Sequence, residues 1–483
     1  MIGKAFTFSE PPQPYWIAST ETTNYPALEE DLKIDVALVG GGLAGITAAY
    51  LLKQSNLTVA VIESDRISRG TSGHTTAKVT SQHSLIYDKL IKNLGLEKAR
   101  QYAEANEYAI TFIEEMINKN KINCDFSRQP AYIYTREEQY VKQIEEEVRA
   151  ATSLGIKAQF LKQTPLPFEI KAAERFDNQA QFHPRKYLLA LAAKIPGGGS
   201  HIFERTRAVD FREGAPFTII TAEGHKVIAA KVIMASHFPA YGGGGYYYAR
   251  MYPERAYAVA ITAKEIFPDG VYISAEKPSR SLRSTPYNGS ELIIVTGENH
   301  RTGQGPPTGV HYLNLAQFAE QNFTVTSMPF RWSAQDYTTL DEVPYAGHLD
   351  PGLPNVYVAT GFRKWGMTNA TASSILLRDL IIHGESPWKD VYDPARFKPD
   401  PLLKHSAKRA AGPLKEAPET AVKLENIPRV KELSPGEAVV VEEGGTGLYK
   451  DDEGRVHEVE LTCTHMGCEP VWNEAERSWD CPC

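Results

Sequence analysis

Apolar residues recur at three- and four-residue steps in two long stretches. The first holds Tyr102, Ala105, Ala109, Phe112, Ile113, Met116 and Ile117, and the second Tyr140, Val141, Ile144, Val148 and Ala151. That spacing predicts two amphipathic helices packed on a core, with Glu145, Glu146 and Glu147 partly on the wet face. Elsewhere apolar residues run together in short β-branched blocks. Residues 34–39 and 57–62 read as strands buried on both faces. Between them Ile46, Ala49, Tyr50 and Leu52 keep helical spacing, so this stretch is a complete β-α-β unit.

Further along, residues 217–221 and 227–228 flank a Glu223-Gly224 turn and predict a hairpin. Blocks at 232–235, 292–295 and 356–359 predict more strands, and a helix is expected from about 367 to 383. Residues 1–30 carry four prolines and no periodicity, which predicts an irregular arm. Residues 31–395 form the main body, 396–422 a Pro-, Lys- and Ala-rich linker, and 423–483 a small β module. No internal repeat is visible.

Composition narrows the class. Of 483 residues, 42% are hydrophobic and 23% charged, which excludes bulk disorder, collagen and coiled coil. A net charge of −7 supplies no global drive toward nucleic acid or anionic lipid. No apolar run approaches the roughly 20 residues of a membrane span. The N-terminus lacks a signal-peptide core, so a cytoplasmic location is expected.

Gly40, Gly42 and Gly45 form G-x-G-x-x-G, directly after a strand and at the start of a helix. The first glycine allows a tight turn, the second lets a pyrophosphate reach the backbone, and the third packs helix on strand. The free N–H groups of the helix start, around Gly41, Leu43 and Ala44, suit phosphate oxygens. Glu63 ends the next strand, 18 residues after Gly45, where an acid can bind a ribose hydroxyl. The fingerprint alone leaves FAD and NAD open. A second candidate, Gly242–Gly245, precedes tyrosines and Pro253 rather than a helix and predicts no NAD site.

The flanking sequence resembles the FAD-dependent amine and D-amino-acid oxidoreductase superfamily, which includes glycine and sarcosine oxidases. Residues 69–77 (Arg-Gly-Thr-Ser-Gly-His-Thr-Thr-Ala) match its small-residue loop beside the flavin. Residues 331–336, then 341–347, resemble its tryptophan and D-x-x-P-x-x-G segment, and residues 355–368 its C-terminal flavin strand and helix. The resemblance spans about residues 31–390. It implies an α/β fold in which a Rossmann-like FAD domain is interleaved with an antiparallel-sheet substrate domain.

It further implies FAD contacts from Ser64, Gly70, Thr71, Ser72, His74, Thr75, Thr76, Ala77 and Val209, and from Gly361, Lys364, Trp365, Gly366, Met367 and Thr368. Gly361 would leave room for the ring. A helix starting near Gly366 would aim its N–H groups at the flavin edge that gains charge on reduction, with Lys364 nearby. In related dimethylglycine and sarcosine dehydrogenases a histidine of this loop is bonded covalently to the flavin. His74 stands there, and a noncovalent contact is the preferred reading. Arg280 or Arg283 is a candidate grip for a substrate carboxylate, with a surface role the alternative.

Cysteines are placed very unevenly. Cys124 stands alone and reads as a small buried hydrophobe. Cys463-Thr-His465-Met-Gly-Cys468 and Cys481-Pro-Cys483 crowd the end of the chain, which with a histidine reads as a metal site. The two boxes resemble those of the Rieske iron–sulfur family, and a zinc site is the rival. The resemblance implies that Cys463 and Cys481 bind one iron and His465 the other, with Cys468 and Cys483 as a bridging disulfide. The second histidine ligand would follow Cys483. A truncated sequence with three of four ligands, and no working [2Fe-2S] cluster, is therefore expected.

The resemblances together imply an oxidoreductase that takes hydride from a small-molecule amine or amino acid onto FAD. Electrons would then pass to a Rieske centre and on to a downstream acceptor, with no nucleic-acid partner and no membrane span. The alternative is a flavin and iron–sulfur relay without an amine substrate.

Overall fold

The computed structural model describes residues 11–397, 433–441, 445–463 and 467–482. Most of the expected linker, together with His465 and Cys483, lies outside the described residues.

The β-α-β unit becomes the centre of the first sheet. Leu32–Val39 pairs in parallel with Val59–Ile62 on one side and with Lys226–Met234 on the other. Val356–Thr360 and His201–Phe203 extend the parallel set in both directions, and Tyr345–His348 closes one edge antiparallel. Both faces are covered, so Val36, Leu38, Val59 and Val61 are fully buried. The helices Leu43–Gln54 and Gly366–His383 pack together here, with the Ser374 hydroxyl donating to the Ala44 carbonyl at 3.0 Å. The blocks expected separately at 227–228 and 232–235 are one strand. It pairs with Leu32–Val39 on one edge and takes the hairpin partner Phe217–Thr221 on the other.

The second sheet is a meander of Val325–Thr339, Met251–Ala263, Ser290–Arg301 and Arg280–Tyr287, all antiparallel. It continues through Val271–Ser274, which joins Ser127–Thr135 in parallel. The chain crosses between the two sheets several times, so the two halves are interleaved. The two amphipathic helices are Leu96–Asn120 and Val141–Ser153, longer than their apolar stripes. Gly95 at φ +84° and Lys121 at φ +52° bound the first of them. Among the described residues no helix is long and apolar enough to cross a membrane.

The N-terminal arm is irregular, yet it is not loose. Its short helix Tyr15–Ala18 puts Trp16 at zero exposure, with its indole donating to the Thr75 carbonyl at 2.7 Å. Tyr15 donates to the Pro286 carbonyl, and the Arg185 guanidinium reaches the Glu21 carbonyl. Two large aromatics anchor the arm through tertiary contacts, which leave no periodic trace in the sequence. At the other end of the body, Arg396 is bound to Asp341 at 2.7 Å.

Among the described residues of the C-terminal module the regular elements are all strands. Ala438–Val441, Thr446–Lys450 and Val456–Glu460 form an antiparallel sheet, and Val471–Asn473 pairs with Ser478–Asp480 in a hairpin.

Candidate functional site

The glycine turn is built by close approach. A Cβ on Gly45 would lie 1.9 Å from the Gly40 carbonyl oxygen, so the helix is pressed onto the strand. Gly40 sits at φ +113°, and its Cβ would meet the Ala235 carbonyl at 2.5 Å. Gly42 differs: a Cβ there meets the Ser72 hydroxyl at 3.2 Å, and Gly42 lines the cavity. Space at Gly42 is therefore space for a ligand. Ser72 accepts from the Leu43 N–H at 2.9 Å, tying the small-residue loop to the helix start. Glu63 accepts from the Gly41 N–H at 2.7 Å and from the Asp65 N–H at 3.1 Å. A carboxylate has lone pairs beyond these two, so Glu63 can hold the turn and still accept from a ribose.

A single cavity of about 1430 Å³ runs from this turn to the second sheet. That exceeds the roughly 300–1,000 Å³ of an ordinary small-molecule pocket and leaves room for a dinucleotide and a substrate. Gly40, Leu43, Ala44, Glu63 and Ser64 line one end, joined by the half-exposed Val209. Gly70, Thr71, Ser72, His74, Thr75 and Thr76 form one wall, and Lys364, Trp365, Gly366 and Met367 another. The helix Gly366–His383 thus starts at the cavity wall, where its positive end belongs if negative charge develops inside.

Some expected residues stand behind the wall. Gly41 and Gly45 shape the turn from below. Ala77 is buried and gives its carbonyl to Arg283. Thr368 donates to the Thr80 carbonyl at 2.9 Å and contacts His83. Gly361 has a reason of its own to be glycine. It sits at φ +77°, and a Cβ there would lie 2.5 Å from the Thr339 side chain, so backbone and packing exclude other residues. His74 lines the cavity, with Nδ1 3.0 Å from the Gly70 carbonyl, while its own carbonyl receives the Trp332 indole at 2.8 Å. Burial holds its imidazole below the ordinary range.

Neither arginine put forward as a carboxylate grip faces the cavity. Arg283 donates to the carbonyls of Ala77 at 2.7 Å, Thr76 at 3.1 Å and Phe182 at 3.3 Å, and stacks over Trp16. Arg280 is paired with Glu298. The structure commits one to backbone and the other to a carboxylate.

Two lysines take the place of the arginines. Lys364 lies with Glu254 and Asp336, which face each other across paired strands. Burial pushes the Lys364 ammonium down to about 8, against the pull of Glu254 and Asp336. Burial raises the Asp336 carboxyl to about 7, against Lys364. Lys78 is also buried in the cavity wall. It donates to the Ser281 hydroxyl and sits 5.4 Å from the Trp365 ring centre. Burial, then Arg283 and Lys364, push it down to about 7. The ion pairs among the described residues give Lys78 no carboxylate. A buried cation without a counter-charge is costly unless a ligand brings one. Sequence reasoning missed Lys78 because a lysine beside a β-branched residue looks like any half-exposed strand position.

This placement has a pH signature. The unfolded chain holds the Lys78 proton up to its ordinary 10.5, whereas the folded protein releases it near 7. Unfolding therefore takes up a proton between about 7 and 10.5, and this group's contribution to stability rises with pH across that window. Lys78→Met should be more stable than the parent at pH 7 and below, with the gap closing toward pH 10.5. Denaturant midpoints of the ligand-free proteins from pH 6 to 10 check this.

A phosphate cradle on a parallel sheet, one large cavity and a mostly antiparallel second sheet define a dinucleotide-dependent oxidoreductase. The chain belongs to the FAD dependent oxidoreductase family, whose model matches residues 35–380. FAD is accordingly its cofactor, and FAD-dependent oxidoreductase is its enzyme class. It is 41% identical over 476 residues to YhfW of Bacillus subtilis (strain 168), provisionally named a Rieske 2Fe-2S iron–sulfur protein, covering 98% of this chain and 93% of that one. It is 23% identical to the gamma-glutamylputrescine oxidoreductase of Escherichia coli (strain K12), covering 76% and 88% of the two chains. Glycine oxidase from Geobacillus kaustophilus shares the fold, with a TM-score of 0.62 at 20% identity, covering 76% of this chain and all of that one.

Near the end of the chain Cys463 and Cys481 are half-buried, and Cys468 is disulfide-bonded. Cys124 is buried, as its isolation suggested, and burial raises its thiol to about 12.

Proposed function

We propose that the protein oxidises an amine or amino acid in this cavity and passes the electrons singly to a Rieske [2Fe-2S] centre in its C-terminal module. The observation that carries the first half is the continuity of one cavity from the Gly42 cradle to the charged wall of Lys78, Glu254, Asp336 and Lys364. FAD supplies a hydride acceptor when bound.

The chain's own residues do the rest. Gly42 and the following helix start hold the pyrophosphate, and Glu63 holds the ribose. The start of the Gly366–His383 helix, in the cavity wall, would stabilise the negative charge that the ring gains on reduction. Glu254 and Asp336, balanced by Lys364, are placed to take a proton from a substrate ammonium, since hydride leaves from a neutral amine. Lys78 offers its ammonium to a substrate carboxylate in place of the arginines.

In the C-terminal module, Cys463 and Cys481 would hold one iron of a Rieske centre, and His465 the other together with a second histidine expected to follow Cys483. Pairing of Cys468 with Cys483 completes the reading. The name of the Bacillus subtilis relative supports it.

The test is anaerobic mixing of the FAD-loaded protein with a panel of amines and amino acids. Bleaching of the flavin by one of them is expected. Bleaching by a reduced protein partner and by no small molecule would overturn the enzymatic half in favour of a relay.

A further inference from the structure

The strands Met251–Ala263 and Val325–Thr339 wall the cavity, and their alternate residues face opposite ways. Glu254, Ala256, Asp336 and Thr338 line the cavity. Arg255 points to the other face, where Nη1 donates to Ser333 at 2.7 Å and Nη2 to Asp480 of the C-terminal hairpin at 2.5 Å. That ion pair is nearly sealed from solvent, with 12% and 4% of the two side chains exposed.

Around it the hairpin is seated on the body. The Ala475 N–H donates to Thr308 at 3.2 Å, and Ala475 is buried in one apolar cluster with Tyr257, Tyr312 and Leu315. Tyr312 donates to Glu476. A tethered module that merely brushed the body would leave Arg255 hydrated. Burying both charges of a pair is tolerable only where the surfaces stay together.

Tyr337 lies on this same face. Cys481 follows the latched Asp480 directly, and a Cβ on Gly303 of the body would lie 3.2 Å from the next residue, Pro482. The Tyr337 ring packs 5.0 Å from that of His237, and His237 lines the cavity.

We infer that the hairpin Val471–Asp480, latched by Arg255 on Asp480, is a fixed dock that holds Cys481 on the far face of the strand pair walling the flavin cavity. The dock makes this module the protein's own electron acceptor, one strand layer from the donor and reached past Tyr337 and His237. This role rests on the iron–sulfur reading above. Arg255 acts by positioning: it touches neither substrate nor cofactor.

The test is hydrogen exchange on the full chain loaded with FAD. Arg255→Leu should speed exchange of the amides over 471–480 at least tenfold and leave those of Leu32–Val39 unchanged. Asp480→Asn, made from the module side, should do the same and serves if Arg255→Leu folds poorly. Unchanged exchange over 471–480 in the variants overturns the dock.

A second measurement uses the chain carried on through the second histidine ligand expected after Cys483, adds iron and sulfide, photoreduces the flavin with EDTA as the electron donor, and follows electrons into the cluster by its visible spectrum. A tenfold slower arrival in Arg255→Leu is expected. Arrival at the parent rate overturns the electron-exit role while leaving the dock. A protein that takes up no cluster, yet shows the exchange effect, overturns the iron–sulfur reading and not the dock.

Discussion

Gly45→Ala is expected to cost the protein at least 100-fold in FAD affinity, equivalent to about 2.7 kcal/mol. The new Cβ would fall 1.9 Å from the Gly40 carbonyl oxygen, a backbone atom at the end of a buried parallel strand. No side-chain rotation relieves that overlap. The helix Leu43–Gln54 must lift off the sheet, and its N–H groups then no longer converge where the phosphates sit. The partner substitution separates packing from ligand space. Gly42→Ala meets the Ser72 hydroxyl at 3.2 Å and should fold with a near-parental denaturant midpoint. It should still bind FAD at least tenfold more weakly, because its methyl occupies the phosphate approach. Flavin fluorescence titration beside denaturant unfolding distinguishes the two variants. Parental FAD affinity in Gly42→Ala would remove the cradle from Gly42.

Arg283→Met is expected to destabilise the protein by about 3–5 kcal/mol. The guanidinium is 2% exposed, and it satisfies the carbonyls of Thr76, Ala77 and Phe182. Methionine fills much of the volume and offers no donor, so those buried acceptors lose their partner. Two of them belong to the small-residue loop along the cavity, so flavin retention should fall together with stability. Arg280→Met should cost less, since Glu298 keeps His311 and Asn314. A carboxylate-gripping role for Arg283 would give the opposite pattern, a raised KM at unchanged stability. Urea unfolding with flavin release measured on the same samples decides between them.

Much of the fold is legible in the chain because its signals are local. The parallel strands around Gly40 announce themselves as uninterrupted β-branched blocks, since a strand buried on both faces has no polar positions to spare. The G-x-G-x-x-G turn is local for the same kind of reason: the close contact of Gly45 with Gly40 spans five residues. The helix start at Gly366 and the wall formed by residues 70–76 follow from segments whose order and spacing match a family.

What the chain alone did not decide depends on partners far away in sequence. Trp16 is buried because Thr75 and Arg283 meet it, across 59 and 267 residues, and no periodicity around Trp16 records that. Arg283 loses the role expected of it, and Lys78, for which none was expected, lines the cavity on the same ground. Both are cations on strands, and only the tertiary arrangement turns one toward three carbonyls and the other into the cavity wall, where no ion pair among the described residues engages it. Gly361 is also held to glycine by its φ of +77° and by Thr339 of the second sheet, 2.5 Å from where a Cβ would lie. The seat of the C-terminal hairpin on Arg255 is equally nonlocal, joining positions 225 residues apart. Local chemistry and period therefore determine the nucleotide-binding frame. Which charges face the reacting space, and where the cysteines sit relative to it, is settled by burial, because desolvation makes an unmatched charge costly wherever the fold happens to enclose it.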